Sequence, residues 1–127
     1  MTRTITKEND YDNPWTFNNK PFTSEDIKSY VGFVYLITEI DTNKKYIGRK
    51  YFWQKRKPRT GSKRRVTSES DWKKYYGSCP ELKEDIKQFG KLNFKREILS
   101  LHKTKGLVNF EETKQLFLNN VLSESLD

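Results

Sequence analysis

The sequence predicts an α+β domain: a small three-stranded, mostly antiparallel sheet flanked by helices. Three observations carry that prediction. Two runs rich in β-branched and aromatic residues, 32–38 and 45–52, flank a short polar turn, which is the pattern of a hairpin. Two later segments carry side-chain capping spacings, and the first of them also has a glycine stop, as helices do. A further apolar run, 94–101, lies between those segments, so the hairpin is followed by helix, strand and helix rather than by a strict βαβ alternation. A chain of 127 residues fits one domain. A third of it is hydrophobic and a third charged, so the core is small, and the 3 Trp, 7 Tyr and 8 Phe must fill much of it.

In chain order, residues 1–30 form a polar arm that packs on the domain proper, residues 31–127. Within the arm, "DNPWTFNNKPF" (Asp12–Phe22) is rich in turn formers, and Trp15, Phe17 and Phe22 pin it to the core. Residues Thr23–Tyr30 supply one helical turn with Thr23 or Ser24 as N-cap. Gly32–Thr38 is apolar on both faces and reads as a buried strand. Asp41–Lys44 turns the chain, because Asp and Asn tolerate positive φ, and Lys45–Phe52 returns as the second strand. Pro58 and Gly61 prevent any regular element over Lys57–Arg65. Ser70–Tyr76 is expected to be a short helix. Ser78 and Glu81 stand at capping-box spacing, with Pro80 in the first turn, Leu82, Ile86 and Phe89 as an apolar stripe, and Gly90 as terminator. Phe94–Leu101 is the third strand. Asn109 and Glu112 repeat the capping spacing and open a last helix running to about Leu122, where the chain turns into a loop.

Composition also excludes functions. No apolar run approaches the ~20 residues of a membrane span, and the N-terminus has no apolar signal-peptide centre. Cys79 is alone, so no internal disulfide forms, and a reducing, cytoplasmic setting is expected. One cysteine and one histidine (His102, at a strand end) cannot build a structural zinc site. A metal here would be a hard ion on carboxylate, Mg²⁺ or Mn²⁺. The net charge of +8 is concentrated. Between Lys44 and Arg65 the chain has Lys44, Lys45, Arg49, Lys50, Lys55, Arg56, Lys57, Arg59, Lys63, Arg64 and Arg65 and no acidic residue. Tyr51, Phe52 and Trp53 interleave with them. A one-signed run of that length calls for a polyanion, and nucleic acid is the expected partner.

Spacing sharpens the expectation. Val34 and Tyr35 are followed by Tyr46, Ile47 and Gly48, so the two tyrosines stand eleven apart; Arg56 lies ten beyond Tyr46, and Glu111 and Glu112 fall in the last helix. In these features, over residues 31–122, the chain resembles the GIY-YIG nucleases and, within them, a phage-borne, homing-endonuclease-like (Seg-like) branch. Two departures are visible. Phe33 stands where the family has the glycine of its first motif, with Gly32 one place earlier. Pro58 closely follows Arg56, whereas the family's arginine usually lies on a helix.

The resemblance implies a metal-dependent DNA endonuclease of phage or mobile-element origin, acting in the cytoplasm of an infected bacterial host on double-stranded DNA. Tyr35 would deprotonate or orient the attacking water, a task for which phenol is suited only if surrounding positive charge favours its phenolate. Tyr46 would position water around metal or phosphate, and Lys45 or Lys50 would lower the tyrosine pKa. Arg56 would grip the scissile phosphate through its planar fork. Glu112 would hold one Mg²⁺ (or Mn²⁺), Glu111 being the alternative; Phe117 matches the aromatic that follows the family's glutamate and favours Glu112. Gly48 would let backbone approach the phosphate, and Lys45, Arg49, Lys50, Lys55, Lys57, Arg59, Lys63, Arg64 and Arg65 would contact DNA. A monomer would nick one strand, and a transient dimer would cut both. The family also carries an asparagine about fifteen residues past its glutamate; that count reaches Asp127, so the expectation is a chain that folds and binds DNA but cleaves weakly. Two rivals stand beside this reading: a DNA-binding protein on the same scaffold that no longer cleaves, and an RNA-binding protein.

Overall fold

The computed structural model describes residues 11–56, 66–119 and 122–123, with backbone alone at residues 56, 66, 122 and 123. The strands are β1 (Thr16–Phe17), β2 (Lys20–Pro21), β3 (Gly32–Glu39), β4 (Lys44–Tyr51), β5 (Trp53–Arg56), β6 (Val66–Glu69), β7 (Phe94–His102) and β8 (Leu122–Ser123). The α-helices are α1 (Pro80–Phe89) and α2 (Lys105–Asn119). The α+β class holds, but the sheet is larger than three strands. Its order is β2-β1-β7-β3-β4-β8, and β5 and β6 form a separate antiparallel ribbon. The three long strands, β7-β3-β4, are the antiparallel centre. The additions β1, β2 and β8 have two residues each, and β1 and β8 join in parallel. Elements of two residues have no periodicity to read, and backbone left unpaired on the edges of β7 and β4 recruits them.

The hairpin register sets which side chains share a face. Tyr35 pairs with Gly48 and Ile37 with Tyr46, so both tyrosines lie on one face of the sheet. The turn is closed by the Asn43 N–H donating to the Glu39 carbonyl at 2.7 Å, with Asn43 at φ 63. Gly32 allows the two strands to approach closely, since a Cβ there would meet the Lys50 carbonyl oxygen at 2.8 Å and the Tyr51 ring at 2.9 Å. On the other side of β3 the ladder to β7 slips by one residue between Val34 and Tyr35, a bulge beside the first tyrosine.

Each face of the sheet has its own core. The tyrosine face carries Phe33, Tyr35, Ile37, Tyr46, Phe94 and Ile98 and is covered by Trp15, Phe22, Ile27, Phe52, Trp72 and Leu82. The opposite face carries Val34 and Ile47 under Val108 of α2. Trp15 and Trp72 are linked directly, the Trp15 indole N–H donating to the Trp72 carbonyl at 2.8 Å.

One buried polar residue ties the arm to this core. Arg96 is 1 % exposed, donates to the Asn13 carbonyl at 3.1 and 2.6 Å and to the carbonyls of Lys73 (3.0 Å) and Tyr75 (2.7 Å), and lies over the rings of Trp15 and Tyr76. Burial pulls its pKa below the ordinary arginine value.

The helices depart from expectation in instructive ways. Pro80 is the first residue of α1 and Cys79 its N-cap, which makes no side-chain cap bond. Proline's fixed φ suits the first helical position, so Glu81 sits one place short of a capping-box reach to the Ser78 end and instead pairs with Lys44. Leu82 is buried and Ile86 partly so, but Phe89 is exposed, and Gly90 ends the helix at φ 88. Ser70–Tyr76 contributes only the 3-10 turn Trp72–Lys74, because Trp72 is drawn into the core. The turn at Ser24–Asp26 is capped by Thr23, whose N–H donates to Asp26 Oδ2 at 2.8 Å.

The last helix starts at Lys105, four residues before Asn109, and its cap is Thr104: Oγ1 accepts the Leu107 N–H at 3.1 Å. It stops at Asn119, and Leu122 belongs to β8, not to the helix. No described helix is long and apolar enough to cross a membrane.

Candidate active site

Moving the start of α2 changes the meaning of Glu112. As the third residue of a helix it would be a cap; as the eighth it is an interior residue, and it faces the sheet, 3 % exposed. Its Oε1 accepts from Arg49 Nη1 at 2.8 Å. Its Oε2 is buried and has no hydrogen-bond partner among the described residues. A carboxylate oxygen left that way is costly unless a cation or water completes it. Glu111, its neighbour, is instead bonded by Gln115 Nε2 at 2.8 Å along the helix surface, and Phe117 is 87 % exposed, so no packing relates it to Glu112.

Beside Glu112 opens a cavity of about 440 Å³ lined by Tyr35, Gly48, Arg49, Lys50, Tyr51 and Tyr75 among others. Strand alternation explains how one cavity collects these groups. Gly48 and Lys50 point to the tyrosine face of β4, and Arg49 and Tyr51 to the α2 face. Among the described residues, strand β8 pairs with β4 at Tyr46 and Ile47. The cavity follows the β4 residues after that pairing, where side chains from both faces meet around one edge. Gly48 lies directly opposite Tyr35. With no side chain at 48, the tyrosine is reached from the cavity.

Tyr35 itself is packed among aromatic rings. It is fully buried at the cavity wall, with Trp15 at 5.2 Å and Tyr75 at 6.0 Å between ring centroids. Tyr46 is equally buried and shares the face, but it is not among the cavity-lining residues.

Arg49 is held by two partners. Burial lowers its pKa, but the bond and charge of Glu112, with help from Tyr51, outweigh that and leave it raised. The Tyr51 hydroxyl donates to Asn109 Oδ1 at 2.9 Å, one helical turn before Glu112, so Asn109 ties the helix to β4 instead of capping it. Lys50 pairs with Asp71 at 2.7 Å and lies 4.2 Å from the Tyr75 ring centroid. That bond to the lysine is the main cause of a lowered Asp71 pKa.

Not every expected residue reaches the cavity. Lys45 bonds Asn43 Oδ1 at 3.1 Å at the far end of the hairpin. Lys55 is exposed on β5. The backbone of Arg56 ends β5 opposite Val66, on a strand and not a helix, and its side chain lies outside the described residues. Lys57, Arg59, Lys63, Arg64 and Arg65 also lie outside them. Trp53, which interleaves with the basic run, is exposed at the cavity rim, whereas Trp72 is core. His102 ends β7, its Nε2 2.8 Å from Ser100 Oγ, far in role from any triad.

Two contributors went unread in the sequence: the direct contact of Arg49 with Glu112, and Tyr75 at the cavity wall. Alternation along 46–51 could have signalled the first, since it puts Arg49 with Ile47 on the helix side. Nothing local signals the second.

The donor set fits a hard divalent ion. Among the described residues no three His, Cys, Asp or Glu side chains gather, so an ion would be held by Glu112 and otherwise by water, as Mg²⁺ tolerates.

A family model described as "Putative endonuclease segE, GIY-YIG domain" matches residues 15–127. No curated protein and no solved structure matches the chain.

Proposed function

Because the chain belongs to the GIY-YIG family, in its SegE-like branch, we propose that it is a metal-dependent endonuclease that hydrolyses phosphodiester bonds in double-stranded DNA, of phage or mobile-element origin. The observation that supports this most is the convergence of Tyr35, Gly48 and a half-satisfied Glu112 on one cavity. Tyr35 would deprotonate or orient the attacking water from the cavity wall, which Arg49 and Lys50 also line. Gly48 would admit the phosphate to within reach of it. Arg56 would clamp the phosphate with a fork that stabilises the charge developing in the transition state. Tyr46 keeps a part in positioning water, from a place set back from the lining. Glu112 would hold Mg²⁺ or Mn²⁺, and a bound ion would supply Lewis-acid neutralisation of the phosphoryl oxygens. One such site on a monomer would nick one strand at a time, within the cytoplasm of the infected host.

Supercoiled plasmid incubated with and without Mg²⁺ tests the reading. Nicking is expected only with the metal, and Tyr35→Phe lowers its rate by about 100-fold or more, the scale of a lost general base. The fold survives, since only a hydroxyl is removed. Wild-type nicking by Tyr35→Phe would reduce that residue to packing, and no nicking with either Mg²⁺ or Mn²⁺ would favour the non-cleaving alternative.

The basic run supplies a second expectation. If residues 44–65 carry the phosphate contacts, neutralising Arg59, Lys63, Arg64 and Arg65 weakens binding to unrelated duplexes alike. It also flattens log K against log salt by about 0.9 per lost contact. An unchanged slope in a fluorescence-anisotropy titration would put the DNA on another surface.

A further inference from the structure

We infer that Arg49 is the resident counter-ion of Glu112 and competes with the divalent cation for it, so that loading the metal requires Arg49 to swing into the cavity. The inference rests on the reading of Glu112 as the metal-holding residue.

Three observations carry it. Glu112 offers one bonded and one unbonded oxygen, both buried, and the bonded one is held at 2.8 Å by a guanidinium. That guanidinium is not itself locked in the core. The Arg49 side chain is 37 % exposed against 4 % for Glu112, and it lines the cavity together with Lys50 and Tyr51. A unit positive charge already in contact with the carboxylate repels an incoming divalent ion strongly at the effective dielectric of such a site.

Chemistry gives the displaced arginine somewhere to go. It would turn from Glu112 to an anion in the cavity, and the anion the proposed reaction brings there is the phosphate, which a guanidinium binds as well as it binds a carboxylate. Arg49 is then a positioning residue. It keeps a buried carboxylate compensated while the metal is absent, and it makes metal loading and phosphate binding favour one another, an effect that must be reciprocal.

The test is Mn²⁺ binding to the DNA-free protein, counted by the loss of the free-ion EPR signal, for wild type, Arg49→Gln, Arg49→Lys and Glu112→Gln. Arg49→Gln is expected to bind Mn²⁺ about tenfold more tightly than wild type or better. Arg49→Lys, which keeps the charge, should stay close to wild type, and Glu112→Gln should lose the site. A second measurement needs no variant to fold: in the wild-type protein, diamagnetic Mg²⁺ should shift the Arg49 Nε–H resonance and speed its exchange with solvent.

Equal or weaker Mn²⁺ binding by Arg49→Gln, with binding still lost in Glu112→Gln, overturns the competition and leaves Glu112 as ligand. An Arg49 resonance that does not respond while Mg²⁺ binds at Glu112 overturns it equally. Binding that survives Glu112→Gln overturns both the inference and the reading under it.

Discussion

Glu112→Gln is expected to remove Mg²⁺-dependent plasmid nicking, by about 10²–10³-fold or to background, while leaving DNA affinity in EDTA close to wild type. The side chain sits between the helix and the sheet, so the amide keeps its volume and still offers an oxygen to Arg49. What it loses is the negative charge that would hold the ion. Folding should be little affected: the replacement removes a buried charge, and the arginine left without its anion is partly exposed and remains hydrated. Anisotropy for binding and gel densitometry for nicking separate the two effects. If Glu112→Gln cuts at the wild-type rate and Glu111→Gln does not, the ion is held by the neighbouring carboxylate. If both cut, the metal is held elsewhere in the chain.

Arg96→Met is expected to cost about 3–5 kcal/mol of stability, enough to lower the melting temperature by more than about 10 °C in a domain of this size. The methionine fills most of the volume but leaves the carbonyls of Asn13, Lys73 and Tyr75 without their donor in the interior. Arg96→Lys should rescue only part of the loss. An ammonium brings three donors with no planar fork, and it cannot stack between Trp15 and Tyr76 as the guanidinium does. Because those carbonyls come from the arm and from the segment after Trp72, early proteolysis should fall on residues 11–30 in both variants. Urea unfolding with an unchanged midpoint in Arg96→Met would show that the clamp is worth less than its hydrogen bonds suggest.

Much of the site was present in local pattern. The eleven-residue spacing of Tyr35 and Tyr46 across a polar turn is compatible with one shared face, and the observed register, with Tyr35 opposite Gly48 and Ile37 opposite Tyr46, is what puts them there. The three long strands came from β-branched and aromatic runs, each within two residues of its observed ends. Capping rules were less dependable. Serine and asparagine at capping spacing mark where a helix can start, yet Pro80 and Thr104 decided where α1 and α2 do start. That five-residue shift of the cap, from Asn109 to Thr104, turned Glu112 from a surface cap into a buried carboxylate.

Sequence alone determined the class, the hairpin, the family and the basic character of the chain, because these depend on residue type and on spacings inside single elements. Only the tertiary structure decided which charges meet. Arg49 and Glu112 are 63 positions apart, and their contact exists because α2 packs against the face of β4 that alternation assigns to odd-numbered residues. Arg96 reads as one more charged residue in a basic chain until the register puts it opposite Ile37 on the core side, where carbonyls from two distant segments close around it. The same holds for the short strands β1, β2 and β8, which form where an open sheet edge happens to lie. Such pairings are fixed by the packing of whole elements against one another, a non-local condition that no window of sequence contains.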